Sequence, residues 1–115
     1  MRQMSPSELK SMLEADAVDV VDVREAAEFA AWHIRGSNNL PIIEDLRQNR
    51  TEALVRASES LSKERPLVMV CRRGAMAERA AQLLTDLGFD AACLTGGIQG
   101  WPDQFKDCVH RDPAE

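Results

Sequence analysis

Two short aliphatic runs, Val18 to Val23 and Leu67 to Val70, constrain this chain more than any other feature. Both place apolar side chains on odd and even positions, so a strand built from either run must be covered on both faces. Each is followed by a stretch with helical spacing, which implies strand–helix–strand units and a parallel sheet. The first strand is expected over Ala17 to Val23, ending in Asp22-Val23-Arg24. Leu67 to Val70 forms the second, and Ala91 to Leu94 a third.

Helices are expected between and around these runs. Ser5-Pro6-Ser7-Glu8 has an N-cap serine, proline at the first helical position and glutamate three residues past the cap, which together make a capping box. Leu9, Met12 and Leu13 then share one face. Glu25 to Trp32 reads as a helix, followed by a loop through Gly36, Asn38, Asn39 and Pro41. Ile43 to about Ser60 is polar with apolar punctuation at Leu46, Leu54 and Val55, and is expected to be helical. Met76, Ala80, Leu83, Leu84 and Leu87 form a stripe closed by Gly88. Gly96-Gly97 marks a turn before a short final helix over Ile98 to Phe105. The fold class expected is α/β, with a central, mainly parallel sheet and helices on both faces.

At 115 residues the chain has room for one core. We expect a single domain over 1–115, its core spanning about 5–105 and a polar tail at 106–115. The formal charge of −5 excludes a generic nucleic-acid or acidic-membrane binder, which needs a basic face. Cys71, Cys93 and Cys108 are odd in number and widely spaced, which disfavours a disulfide framework or a zinc site. The N-terminus lacks the apolar core of a signal peptide, and no stretch reaches the ~18 apolar residues of a membrane span. These features suit a reduced, cytoplasmic protein acting as a monomer.

Cys71 is the best candidate for a reactive atom. It ends the second strand and opens the loop Cys71-Arg72-Arg73-Gly74-Ala75-Met76-Ala77, after which a helix begins. Open parallel sheets bind ligands at the C-terminal ends of their strands, and a helix N-terminus favours anions there. A thiol attacks only as thiolate, and an ordinary cysteine is mostly protonated at neutral pH. Backbone N–H groups of the Arg72 to Ala77 loop, curled around the sulfur, would form an anion-binding nest, and Gly74 would allow the tight curl. The alternative is a small buried hydrophobe that merely ends a strand. The double arginine, the glycine and the immediate helix start favour the reactive reading. Cys93, inside a strand, and Cys108, near the end, read as structural.

Three separated segments resemble the single-domain rhodanese family of sulfurtransferases. The first is Asp22-Val23-Arg24-Glu25 through Glu28-Phe29, continuing as His33-Ile34-Arg35-Gly36-Ser37-Asn38-Asn39-Leu40-Pro41. The cysteine loop is the second, leading into Ala80-Ala81-Gln82-Leu83-Leu84 and Gly88-Phe89. The third is Leu94-Thr95-Gly96-Gly97-Ile98-Gln99-Gly100-Trp101. The resemblance implies a rhodanese-like three-layer fold and a ping-pong transfer of sulfane sulfur. Cys71 would take sulfur from thiosulfate or another persulfide donor and pass it to a thiophilic acceptor, cyanide in vitro or a protein. Arg72, Arg73, Gly74, Ala75, Met76 and Ala77 would bind the donor, with no organic cofactor and no metal. His33, Asp22, Arg24, Gly96, Gly97 and Trp101 are read as framework residues.

Two positions depart from the family pattern. Many active members carry an arginine where Met76 stands and a hydroxyl residue where Ala77 stands. Arg72 or Arg73 would then supply the missing charge, or the natural donor would be an apolar or protein-bound persulfide touching Met76. Two alternatives stay open. A cysteine-dependent phosphatase or arsenate reductase needs an arginine six positions after the cysteine, where this chain has Ala77. A non-catalytic binding module would keep the fold and lose the transfer.

Overall fold

Alternate residues of the three central runs point to opposite sides of one sheet, and each side carries its own core. The computed structural model describes residues 1–111. The chain runs through β1 (Arg2–Met4), α1 (Pro6–Glu14), β2 (Asp19–Asp22), α2 (Ala26–Ala31), β3 (Trp32–Ile34), β4 (Asn38–Asn39), α3 (Ile43–Arg47) and α4 (Glu52–Ser58). It continues with β5 (Leu67–Val70), α5 (Ala75–Asp86), β6 (Ala91–Leu94), 3-10 turns at Ile98–Gly100 and Asp103–Cys108, and β7 (Val109–Arg111). The main sheet has the order β1-β6-β5-β2-β4, and its neighbours pair in parallel. The α/β class with a central parallel sheet is therefore as expected.

Register explains the two cores. Val20, Val68 and Ala92 lie side by side across β2, β5 and β6, and so do Val21, Met69 and Cys93. The first row packs with Met4, Leu9, Ile34, Trp101 and Val109. The second packs with Leu46 of α3, Leu54 of α4, and Ala77, Ala80 and Leu84 of α5. Because strand side chains alternate, one continuous aliphatic run feeds both layers.

Local signals act where the sequence puts them. The Ser5 hydroxyl accepts the Glu8 N–H at 3.1 Å, and the Glu8 carboxylate accepts the Ser5 N–H at 3.2 Å. Beyond α5, Gly88 at φ +98° turns the chain while Phe89 N–H reaches Leu84 O and Gly88 N–H reaches Thr85 O, both at 3.0 Å. That pair of bonds is the Schellman stop that glycine permits.

Other expectations need correction. The helix expected over Ile43 to Ser60 is two helices, α3 and α4, broken where Asn49 takes a φ of +56°. Asparagine tolerates this left-handed conformation better than most residues, and the Arg50 N–H turns back to Asp45 O at 2.8 Å. The final helix over Ile98 to Phe105 is also two pieces. Trp101 precedes Pro102 and is extended, with ψ 121°, since the proline ring disfavours a helical residue before it. The polar tail expected at 106–115 is partly structured: Val109 to Arg111 pair antiparallel with β3, and Val109 is buried. Asp112 to Glu115 lie outside the described residues. The core likewise reaches beyond 5–105, because Met4 of β1 is fully buried against the sheet.

Candidate active site

The turn from β5 into α5 places the Cys71 sulfur. Cys71 follows the last residue of β5, and its carbonyl accepts the Ile98 N–H at 2.8 Å, while the Arg72 carbonyl accepts the Gln99 N–H at 3.0 Å. The last loop is thereby fastened beneath the cysteine loop. Only glycine fits at the crossing: a Cβ on Gly97 would stand 2.4 Å from Arg72 O and 2.6 Å from Arg73 N. Gly74 needs glycine for a different reason: a Cβ there would make only ordinary contacts, the nearest with Gly97 N at 3.6 Å, but its φ is +113°.

Gly74 N–H points at Cys71 Sγ at 3.0 Å and Ala77 N–H at 3.3 Å. Both belong to the start of α5, a twelve-residue helix whose positive end faces the sulfur. Of the Arg72 to Ala77 loop, these two N–H groups face the sulfur. Ala77, at the position a phosphatase would give to arginine, is a fully buried methyl.

Cys71 lies at the floor of a cleft of about 350 Å³. Arg72, Arg73, Ala75 and Met76 line it from the cysteine loop, and Arg24, Glu28, Ile43 and Arg47 from the other side. Gly74 and Ala77 serve through their N–H groups instead. Nothing in the local sequence around Glu28, Ile43 and Arg47 assigns them to the cleft they line. Their signal was topological: they follow the C-terminal ends of β2 and β4, where ligands of parallel sheets sit.

The charges of the cleft are largely paired. Arg24 is buried and donates from Nε and a terminal nitrogen to Asp22 at 2.9–3.1 Å, with a further bond to Trp32 O at 2.7 Å. Asn39 caps this unit by donating to the carbonyls of Asp22 and Arg24, each at 3.0 Å. The pair is the framework expected, although Arg24 also reaches the cleft. Arg72 is bonded to Glu28 of α2. Arg47 pairs with Glu44 at 2.8 Å, and that bond, followed by one from Gln48, holds the Glu44 carboxyl below its ordinary range. Arg73 makes no such contact among the described residues. Arg79, close to Cys71 in sequence, is turned away and donates to Leu46 O and Asn49 Oδ1.

The remaining candidates are structural. His33 lies in β3, stacked on Phe29 at 3.8 Å with Nδ1 2.7 Å from Phe29 O. Trp101 is buried and donates to Phe105 O at 3.2 Å. The Cys93 thiol donates to Gln3 Oε1 at 3.1 Å, and its pKa is pushed up, first by burial and then by Glu78 and Cys71.

A rhodanese-like domain model matches residues 5–104. The chain is 35% identical over 101 residues to the thiosulfate sulfurtransferase GlpE of Shewanella oneidensis, covering 87% of this chain and 91% of that one. It is 32% identical over 115 residues to the protein of the same name from Pseudomonas fluorescens Pf0-1, covering 99% and 96%. Among solved structures, the rhodanese-like domain protein of Staphylococcus aureus superposes with a TM-score of 0.74 at 25% identity, over 98% of this chain and 100% of that one. Matched by the family model over most of its length, and by near-full-length relatives at 32–35% identity, the chain belongs to the rhodanese-like family.

Proposed function

We propose that this rhodanese-type sulfurtransferase carries sulfane sulfur on Cys71 between a small anionic donor and a thiophilic acceptor. The observation that carries the reading is the pair of N–H groups, Gly74 and Ala77, aimed at Sγ at the floor of an open cleft. Fixed donors of this kind stabilise a sulfur anion without having to reorganise during the reaction.

With thiosulfate as donor, the Cys71 thiolate attacks the outer sulfur. The S–S bond of thiosulfate breaks, sulfite leaves with its electron pair, and a new S–S bond makes Cys71 a persulfide. A nucleophile such as cyanide then attacks the terminal sulfur, thiocyanate departs, and the thiolate returns. The Gly74 and Ala77 N–H groups face the Cys71 sulfur in both steps, where fixed donors stabilise developing negative charge. The acceptor in the cell would be a thiophile, including a protein thiol. The three cysteines are free thiols, which suits work in the cytoplasm.

Intact-mass spectrometry of the reduced protein after thiosulfate treatment tests the reading. We expect a gain of one sulfur that cyanide removes and that Cys71→Ser lacks. Sulfur retained by the serine variant would assign the carrier to another cysteine. No adduct from thiosulfate or any organic donor would leave a binding module as the better description.

A further inference from the structure

The cleft over Cys71 is a poor match for a small dianion. Arg24 is closed onto Asp22, Arg47 onto Glu44 and Arg72 onto Glu28, so three carboxylates stand against four guanidiniums and one positive charge is in excess. Among the described residues only Arg73 of the four is unpaired. Ile43 and Met76 add an apolar wall, with Met76 packed against the core below. The volume of about 350 Å³ falls within the roughly 300–1,000 Å³ of clefts that hold organic ligands.

We propose that the preferred donor is an organic sulfane-sulfur monoanion with an apolar body, and that Glu28 is a specificity-determining residue that disfavours doubly charged donors. The proposal rests on the sulfur-transfer reading and deepens it. Glu28 acts twice: its carboxylate occupies the Arg72 guanidinium, and its own charge lines the cleft. A donor with one charge meets Arg73 and rests its body on Ile43 and Met76. A dianion keeps one charge uncompensated and faces Glu28. Like charges brought together in this way are how a site rejects a ligand it could otherwise accommodate.

Thiosulfate and benzenethiosulfonate are suitable probes, because each presents a terminal sulfur on a sulfonyl sulfur and they differ in charge and body. In both, the Cys71 thiolate bonds to the outer sulfur and the S–S bond breaks, releasing sulfite or benzenesulfinate with the electron pair. Since the leaving groups differ, KM and its response to mutation are the readout rather than kcat. For the wild type we expect a KM for benzenethiosulfonate at least tenfold below that for thiosulfate. Glu28→Gln should lower the thiosulfate KM roughly fivefold, the scale of one half-exposed charge contact, and change that for benzenethiosulfonate less than twofold. Equal KM values in the wild type, or equal shifts for both donors in Glu28→Gln, would overturn the proposal while leaving sulfur transfer intact. A wild-type protein that gains no sulfur mass from either donor would overturn the underlying reading and this proposal with it.

Discussion

Replacing Gly97 by alanine tests whether the last loop truly supports the cysteine loop. The new Cβ would stand 2.4 Å from Arg72 O, 2.5 Å from Arg72 C and 2.6 Å from Arg73 N, all backbone atoms with no flexible end to yield. The position also has φ +63° and ψ −168°, a region essentially reserved for glycine that costs other residues about 1–3 kcal/mol. Overpacking of this severity adds about 1–3 kcal/mol, so a total near 3 kcal/mol is a conservative value. An unfolding entropy of about 2.1 cal/mol/K per residue gives about 0.24 kcal/mol/K for 115 residues, and Tm should fall by roughly 12 °C. Gly36→Ala is the internal control. Gly36 has φ +80° but nothing within 4 Å of a built Cβ, so only the left-handed backbone penalty of about 1 kcal/mol applies, or roughly 4 °C. Calorimetry on both variants, with sulfur loading of Cys71 measured alongside, separates the two costs. Because the Gly97 clash falls on the backbone of Arg72 and Arg73 in the cysteine loop, Gly97→Ala should also slow loading, while Gly36→Ala should not. A Gly97→Ala protein that melts within 2 °C of the wild type and loads sulfur normally would refute the idea that this crossing positions the site.

Met76→Arg adds a cation to the wall of the cleft, and one half-exposed charge contact to thiosulfate should lower its KM five- to tenfold, read in steady-state thiocyanate formation. An unchanged KM would mean that the missing arginine does not limit donor binding. Asp22→Asn leaves the Arg24 guanidinium buried without its counter-charge, and should destabilise the fold by about 3–5 kcal/mol in urea titration; a loss under 1 kcal/mol would contradict the role assigned to the pair. Cys93 should be the last thiol alkylated in the native protein at pH 8, because burial raises its pKa and so lowers its thiolate fraction at that pH. Peptide mapping after iodoacetamide treatment would show early Cys93 labelling if that were wrong.

The parallel α/β architecture is legible in the chain's residues, because that information is local and periodic. Val18 to Val23 and Leu67 to Val70 carry their burial on both parities, and two-sided burial has few solutions other than a covered parallel sheet. The capping box at Ser5, the stop at Gly88 and the placement of Cys71 between strand and helix were legible for the same reason: each depends on residues a few positions apart. Tertiary structure decided what no window of sequence holds. Arg2–Met4 is a strand only because β6 offers a parallel edge, and Val109–Arg111 only because β3 does. The loop names its arginines, but which of them remain unpaired depends on Glu28 arriving from forty-four positions away and Glu44 holding Arg47 on the far wall. Charge in a cleft is a sum over whatever the fold brings within reach, and that sum is a property of the folded chain alone.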